Sequence, residues 1–321
     1  MSEQKDSFLN HLRLGMNHTV AHETPEEWAS FLADHGFRAA SFPADYTAPV
    51  HLIDAYVKEA AARDIQIAEV GVWTSPWNTD PQEAEKDKKR CLEQLRLAEY
   101  IHARCCVNVS GAAGPDWAAC YRENYAPALY EKNVEFIQYL IDTVKPQHTC
   151  YSLETMQWMV PWSVEQYVRV IRDVDRPAFK VHLDPFNLIS DSYTYTHQKE
   201  VVDEAFDRLG GQIVSFHIKD VIMDPGLSVM IRETQIGTGS FDHKYYLEKI
   251  ASLGDPDMPA LIEHRPDPQD YLDAMAHLKR SASEAPGSPN AAQDKNVGPA
   301  PAAPEREKVR SLCLCILMVR N

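Results

Sequence analysis

Four residues that could bind a metal ion follow one another along the second half of the chain, each at the end of a segment with the composition of a β-strand. They are Glu154 in LETM, Asp184 in HLDPFN, His217 in FHIKD and Glu263 in LIEHR. The steps between them, roughly 30 to 46 residues, each fit about one strand–helix unit. Three carboxylates and one imidazole suit one hard divalent cation, best Mn²⁺ or Mg²⁺, with Co²⁺ or Zn²⁺ also allowed by geometry.

The cysteines do not compete with this interpretation. A structural zinc site would need thiolates at close spacing. The chain has seven cysteines, an odd number, and none of them forms a CxxC pair. We therefore interpret them as reduced thiols, most of them buried.

Eight strand-like runs alternate with amphipathic segments and would position the four residues. Such alternation is typical of parallel βα units. Eight units favour a closed (β/α)8 TIM barrel, with an open doubly wound sheet as the structural alternative. In a barrel the strand ends that carry the four residues all face the same side, so their side chains would converge. The runs span residues 12–17, 37–43, 65–73, 103–111, 148–156, 178–186, 211–220 and 258–265.

Helix signals and composition divide the chain into one domain and a tail. Thr24 before Pro25, and Ser163 further on, are typical helix caps, and a long amphipathic helix is predicted over 83–103. We expect a single barrel domain over residues 1–282. Residues 283–321 are rich in Pro, Ala and charge and are predicted to form a disordered tail. Its final apolar run, SLCLCILMV, is too short to span a membrane.

Composition excludes several classes of partner. The hydrophobic fraction of 44% and charged fraction of 25% are those of a globular protein. A net charge of −15 argues against nucleic acid, whose binding depends on Lys and Arg contacts to phosphate. Without a signal peptide or a membrane span, the expected location is cytoplasmic. The expected partner is a small sugar or polyol, and the sequence leaves open whether the chain forms a homo-oligomer.

Four other residues are predicted to bind the substrate: Asn187, Arg232, Glu69 and Trp73. Glu69 and Trp73 lie near the end of the third strand, where they could form polar and aromatic walls, although an aromatic ring there could equally pack in the core. Arg232, shortly before a GTG turn, could bind a substrate hydroxyl or phosphate or form a surface salt bridge.

The residues next to the four predicted ligands are given structural roles. Lys219 and Asp220 are expected to shape the loop after the seventh strand. His182, two residues before Asp184, points the same way and is interpreted as a buried core residue or a partner of a ligand. His264 lies in the opposite phase to Glu263 and receives no role.

These motifs together resemble the xylose isomerase-like barrel superfamily, which groups sugar isomerases and epimerases with endonuclease IV-type repair enzymes. The resemblance covers residues 12–280, and its most specific pieces are LETM, DPFN, HIKD, GTGSFD and LIEH. It implies one metal ion held by Glu154, Asp184, His217 and Glu263, with the two glutamates also moving protons.

One position departs from the family pattern. Many sugar epimerases of this group have a His three residues after the strand-six Asp, where this chain has Asn187. Asn still donates and accepts hydrogen bonds, so recognition of a polyol survives. The substrate therefore need not be that of the ketohexose epimerases.

The predicted reaction is a metal-dependent isomerisation or epimerisation through an enediolate, with Glu154 and Glu263 as acid and base. A lyase that dehydrates a related polyol acid would use the same residues and stays open. An endonuclease IV-like zinc hydrolase is disfavoured, because the second and third strands end without His. A sugar-sensing protein without activity would be expected to have lost a ligand, and all four are present.

Overall fold

A closed barrel of eight parallel strands organises the protein. The structure, a computed structural model, describes residues 12–224, 226–265 and 267–283. The strands are β1 (Leu12–Met16), β2 (Ala39–Ser41), β3 (Gln66–Gly71), β4 (Cys105–Asn108), β5 (Tyr151–Glu154), β6 (Phe179–Leu183), β7 (Ile213–Ile218), β8 (Val221–Asp224), β9 (Met230–Glu233) and β10 (Met258–Ile262). The barrel order is β1, β10, β7, β6, β5, β4, β3, β2, which confirms the predicted (β/α)8 architecture.

Helices follow the barrel strands, and the predicted caps start two of them. The Thr24 side chain accepts from the Glu27 amide, and that of Ser163 accepts from the Gln166 amide, so each satisfies an amide left free by the first turn. The helices are α1 (Pro25–Asp34), α2 (Val50–Ala62), α3 (Pro81–Tyr100), α4 (Pro127–Val144), α5 (Val164–Val174), α6 (Ser192–Thr196), α7 (Gln198–Leu209), α8 (His243–Ser252) and α9 (Pro268–Ser283).

Buried tyrosines on the helices fix the carboxyl ends of the strands. The Tyr167 hydroxyl of α5 donates to the Leu153 carbonyl at 2.6 Å. The Tyr246 hydroxyl of α8 donates to the His217 carbonyl at 3.2 Å. Both tyrosine side chains are fully buried, so they hold the backbone of β5 and β7 at the end where the predicted ligands lie.

The eight-strand prediction missed an antiparallel hairpin after β7. Strands β8 and β9 pair with each other from Val221 opposite Glu233 to Asp224 opposite Met230. The hairpin stands outside the barrel sheet and extends from the end that carries the predicted ligands.

Asp220 shapes the loop after β7, as the sequence predicted, and there it supports both the hairpin and the GTG turn. Its carboxylate accepts from the amides of Val221, Gly237, Gly239 and Phe241 at 2.9 to 3.1 Å. Gly237 has a φ of +90°, and a Cβ at Gly239 would collide with the Asp220 carboxylate, so the turn requires glycine at both positions.

Apart from Ser283, the predicted tail 283–321 lies outside the described residues. Within the described ranges, the helices are too short or too polar to cross a membrane.

Candidate metal centre

The four predicted ligands converge at the carboxyl end of the barrel. Glu154 ends β5, Asp184 follows β6, His217 lies in β7 and Glu263 follows β10. One ligand atom from each lies within 4.8 Å of those of the other three. All four side chains are almost fully buried. The convergence expected from the strand-end positions is therefore present in the structure.

The His217 ring orients the cluster. Its Nδ1 lies 3.0 Å from Glu263 Oε2, 3.4 Å from Glu154 Oε1 and 3.8 Å from Asp184 Oδ2. Its Nε2 faces the other way, 3.4 Å from Glu69 Oε2. A ligating histidine that presents one nitrogen to the ion and the other to a carboxylate is typical of protein metal sites.

The turn after β6 holds Asp184 in place. Asp184 Oδ1 accepts from the amides of Phe186 and Asn187 at 2.9 and 3.2 Å. Its second oxygen, Oδ2, points into the cluster. The Asn187 side chain donates to Glu154 Oε1 at 2.8 Å, so it lies directly beside the cluster.

Lys219 enters the cluster, which the sequence interpretation did not foresee. Its Nζ lies 2.6 Å from Asp184 Oδ2, 2.7 Å from Glu263 Oε2 and 3.7 Å from Glu154 Oε1, and the side chain is only 1% exposed. The expectation that Lys219 merely shapes the loop was wrong. Lys219 lies one position beyond the end of β7 and two residues after His217, so its side chain points inward as that of His217 does. It is long enough to reach the centre of the cluster.

The cluster nevertheless leaves polar atoms unsatisfied. The Lys219 contacts are ion pairs without hydrogen-bond geometry. Asp184 Oδ2, Glu263 Oε2 and His217 Nδ1 therefore have no hydrogen-bond partner within the described parts of the chain. Buried atoms of this kind are costly unless something binds them. Two carboxylate oxygens and one imidazole nitrogen facing one point fit a divalent metal ion.

Burial and neighbouring charges separate the proton affinities in this cluster. Burial, reinforced by the charge of Glu263, raises the pKa of Glu154 to about 7. Burial opposes ionisation of Glu263 as well, but the positive charges of His217, His264 and Lys219 together outweigh it and lower the pKa of Glu263 well below its ordinary value. Burial would lower the pKa of Lys219, yet the carboxylates of Asp184 and Glu263 hold it well above its ordinary value. Without a bound metal ion, Lys219 is therefore positively charged. The pKa of Glu154 then lies well above that of Glu263.

Glu69 lies behind His217 and not at the mouth of the site. Its side chain is fully buried. One oxygen accepts from Asn17 Nδ2 at 2.9 Å and from the Ser41 hydroxyl, which leaves the other oxygen to face His217 Nε2. Together with His182, Glu69 and His217 form a second group of three potential ligands. This placement fits an orienting role for Glu69 better than contact with a substrate.

Glu69→Gln tests that role. The amide keeps the shape but removes the negative charge that faces His217 Nε2. In the wild type this charge would keep the remaining proton on Nε2 when Nδ1 gives up its proton to bind an ion. We expect Mn²⁺ affinity to fall by about 10- to 100-fold, the usual effect of losing such a partner. Titration calorimetry on the metal-free protein would measure it. Equal affinity in Glu69→Gln and the wild type would exclude an orienting role.

The other two predicted substrate residues differ in position. The Trp73 ring centroid lies 6.4 Å from that of His217, so Trp73 borders the cluster. Arg232 is not brought to it: its side chain is 53% exposed and pairs with Asp224 across the hairpin at 3.0 Å. From the same strand, β9, Glu233 Oε1 instead reaches Lys219 Nζ at 3.3 Å.

His182 is buried and hydrogen-bonded beneath the cluster. Its Nδ1 lies 2.6 Å from the Ser215 hydroxyl, and its ring packs edge-on against His217 with centroids 4.1 Å apart. Burial and the neighbouring positive charge of His217 lower the pKa of His182 to about 3, so the ring is neutral. This agrees with its interpretation as a core residue that supports a ligand.

Comparison with solved structures finds the same fold at low sequence identity. A xylose isomerase-like TIM barrel protein from Mycobacterium smegmatis in complex with magnesium is 17% identical, with a TM-score of 0.61 over 80% of this chain and 87% of that one. The 3-keto-D-glucoside 4-epimerase of E. coli is 13% identical, with a TM-score of 0.61 over 84% of this chain and 99% of that one. A probable 3-DHS dehydratase from Bacillus anthracis is 12% identical, with a TM-score of 0.63 over 84% and 97%.

Sequence comparison gives the family. No curated protein sequence matches the chain significantly. The family model described as xylose isomerase-like TIM barrel matches residues 29–281, which is most of the chain and includes all four converging residues. The protein therefore belongs to the xylose isomerase-like TIM barrel family.

Proposed function

We propose that this protein is a divalent-metal-dependent isomerase or epimerase of a small sugar or sugar-like substrate. The observation that carries the proposal is the convergence of Glu154, Asp184, His217 and Glu263 around one point, with three of their buried polar atoms unsatisfied. The epimerase and dehydratase activities named for structural neighbours support this class of reaction. Among hard divalent ions we propose Mn²⁺, because the donor set is mixed oxygen and nitrogen.

The residues of the chain divide the work. Glu154, Asp184, His217 and Glu263 would hold the ion, which supplies Lewis-acid stabilisation of negative charge on a substrate oxygen. Glu154 and Glu263 arrive from β5 and β10, on opposite sides of His217 in the barrel order. One glutamate would remove the proton next to a carbonyl group, and the other would return a proton at the opposite face or on the neighbouring carbon.

The surroundings of the cluster favour a polyol. We propose that Asn187 donates to a substrate hydroxyl from its place beside Glu154. Trp73 supplies an aromatic surface next to His217 against which a sugar ring or chain could pack. Because Arg232 is paired with Asp224 in the structure, we give it no contact with the substrate.

The function is tested by proton exchange. The Mn²⁺-loaded protein is incubated in heavy water with a panel of free and phosphorylated ketoses and polyol acids, and products are read by NMR and mass spectrometry. An epimerase should introduce one deuterium at the carbon that lost its proton, and an isomerase should introduce it at the neighbouring carbon. A dehydratase should give a product lighter by one water. We expect deuterium incorporation for at least one free sugar.

The matched control is Asp184→Asn, which removes one proposed ligand and changes neither proposed proton carrier. It should lose exchange in parallel with Mn²⁺ binding. Exchange that persists in Asp184→Asn, or in the wild type after thorough chelation, would contradict a metal-dependent reaction. Carboxylates acting alone would then explain the exchange.

A further inference from the structure

The Lys219 ammonium lies where the proposed metal ion would compete with it. Its closest partners are Asp184 Oδ2 at 2.6 Å and Glu263 Oε2 at 2.7 Å. These two oxygens are also the ones without a hydrogen bond. Each is therefore neutralised by Lys219 and still available to coordinate an ion.

A bound metal ion and the Lys219 ammonium would share the same two oxygens. Hard divalent ions take carboxylate oxygens at roughly 2.0 to 2.6 Å, along their lone pairs. An ammonium kept at its present distance from both oxygens would lie within a few ångströms of the ion, in an interior where repulsion between charges is weakly screened. Withdrawal of Lys219 would relieve this repulsion and so favour metal binding.

Glu233 offers the withdrawn ammonium another partner. Glu233 Oε1 already lies 3.3 Å from Lys219 Nζ, and the Glu233 side chain is 32% exposed, at the edge of the buried cluster. His264 Nδ1 holds the same oxygen at 3.0 Å, and Arg265 Nη2 lies 3.6 Å from the second one. Glu233 is thus fixed next to Lys219 by two residues that directly follow Glu263.

We propose that Lys219 is the cation this site holds before it binds metal, and that transfer of Lys219 from Asp184 and Glu263 to Glu233 sets the metal affinity. The inference rests on the proposed metal site. It assigns Lys219 and Glu233 to metal loading, separately from their effects on the reaction.

Affinity for Mn²⁺ tests the inference without any substrate. Free Mn²⁺ is measured by electron paramagnetic resonance during titration of metal-free protein. Lys219→Met, which keeps the length of the side chain and removes the competing charge, should bind Mn²⁺ at least about tenfold more tightly. Glu233→Gln, which takes away the second partner of the ammonium, should bind it several-fold more weakly. Lys180→Met removes a barrel lysine whose partner is Gln212 and should match the wild type.

The outcomes separate the two proposals. The proposed movement of Lys219 is overturned if Lys219→Met binds Mn²⁺ as the wild type does or more weakly and Glu233→Gln binds it as the wild type does. If Lys219→Met does not fold, Glu233→Gln decides: weaker binding supports the inference and wild-type binding overturns it. Mn²⁺ binding by Lys219→Met but not by the wild type or Glu233→Gln would support the inference strongly. Failure of the wild type and both variants to bind Mn²⁺ would overturn the metal site and this inference together, whereas normal wild-type binding with no effect of either variant overturns only the inference.

Discussion

Replacing Glu154 or Glu263 with glutamine is expected to lower turnover of the substrate found by proton exchange by about 10³- to 10⁴-fold, the upper part of the range for loss of a general acid or base. Glutamine preserves shape but cannot carry the proton, and it weakens an ion ligand at the same time. The reduction should appear in kcat, because the proton moves in the reaction and not in binding. Steady-state kinetics at saturating Mn²⁺ would measure it.

The matched control is Glu165→Gln, on the outer face of the barrel, where Glu165 pairs with Arg208. It should leave kcat unchanged. Turnover within a few-fold of wild type in both Glu154→Gln and Glu263→Gln would rule out the two glutamates as proton carriers. Loss of turnover in only one of the two variants would indicate that a single glutamate carries the proton.

Adding Mn²⁺ to the metal-free protein should raise the melting temperature by about 5 to 10 °C at 100 times the dissociation constant. An ion that binds only the folded state contributes about 2.7 kcal/mol at that concentration. Each kcal/mol corresponds to about 2 to 4 °C in a domain of this size. Chelation should reverse the shift and abolish activity, and calorimetric scans would follow both states.

Asp184→Asn provides the comparison for this prediction. It removes a proposed ligand at the centre of the cluster, so its melting temperature should respond weakly to Mn²⁺. A similar rise in Asp184→Asn and the wild type would place the bound ion elsewhere on the protein. Full activity after chelation would contradict the metal role of all four residues.

The barrel and the convergence of the four ligands could be predicted because both depend on periodicity. Regularly spaced strands, each followed by a helix, are parallel, so their carboxyl ends lie on the same side of the barrel. The four predicted ligands lie at those ends. The hairpin was not predicted, because VIMD and MIRE are short, and with only one of their eight residues buried they lack the buried pattern of a barrel strand.

Lys219 and Glu69 show what periodicity cannot supply. Alternation gives the direction of a side chain but not its depth along the barrel axis. Lys219 was assigned to a loop because β7 was expected to end there, yet its side chain is long enough to return to the centre. Glu69 was expected to form a polar wall of the substrate site, but the β2–β3 register shifts next to Ser41, and Glu69 lies level with the Ser41 hydroxyl beneath His217.

The charge that Lys219 carries into the cluster has a consequence for how the protein matures. Small metallo-domains whose ligands repel one another fold only when the ion arrives. Here Asp184 and Glu263 already have a cationic neighbour in Lys219. We therefore expect newly synthesised chains to complete the barrel first and to acquire their ion afterwards. The supply of ions around the finished protein, and not the conditions of its synthesis, would then decide which metal it carries.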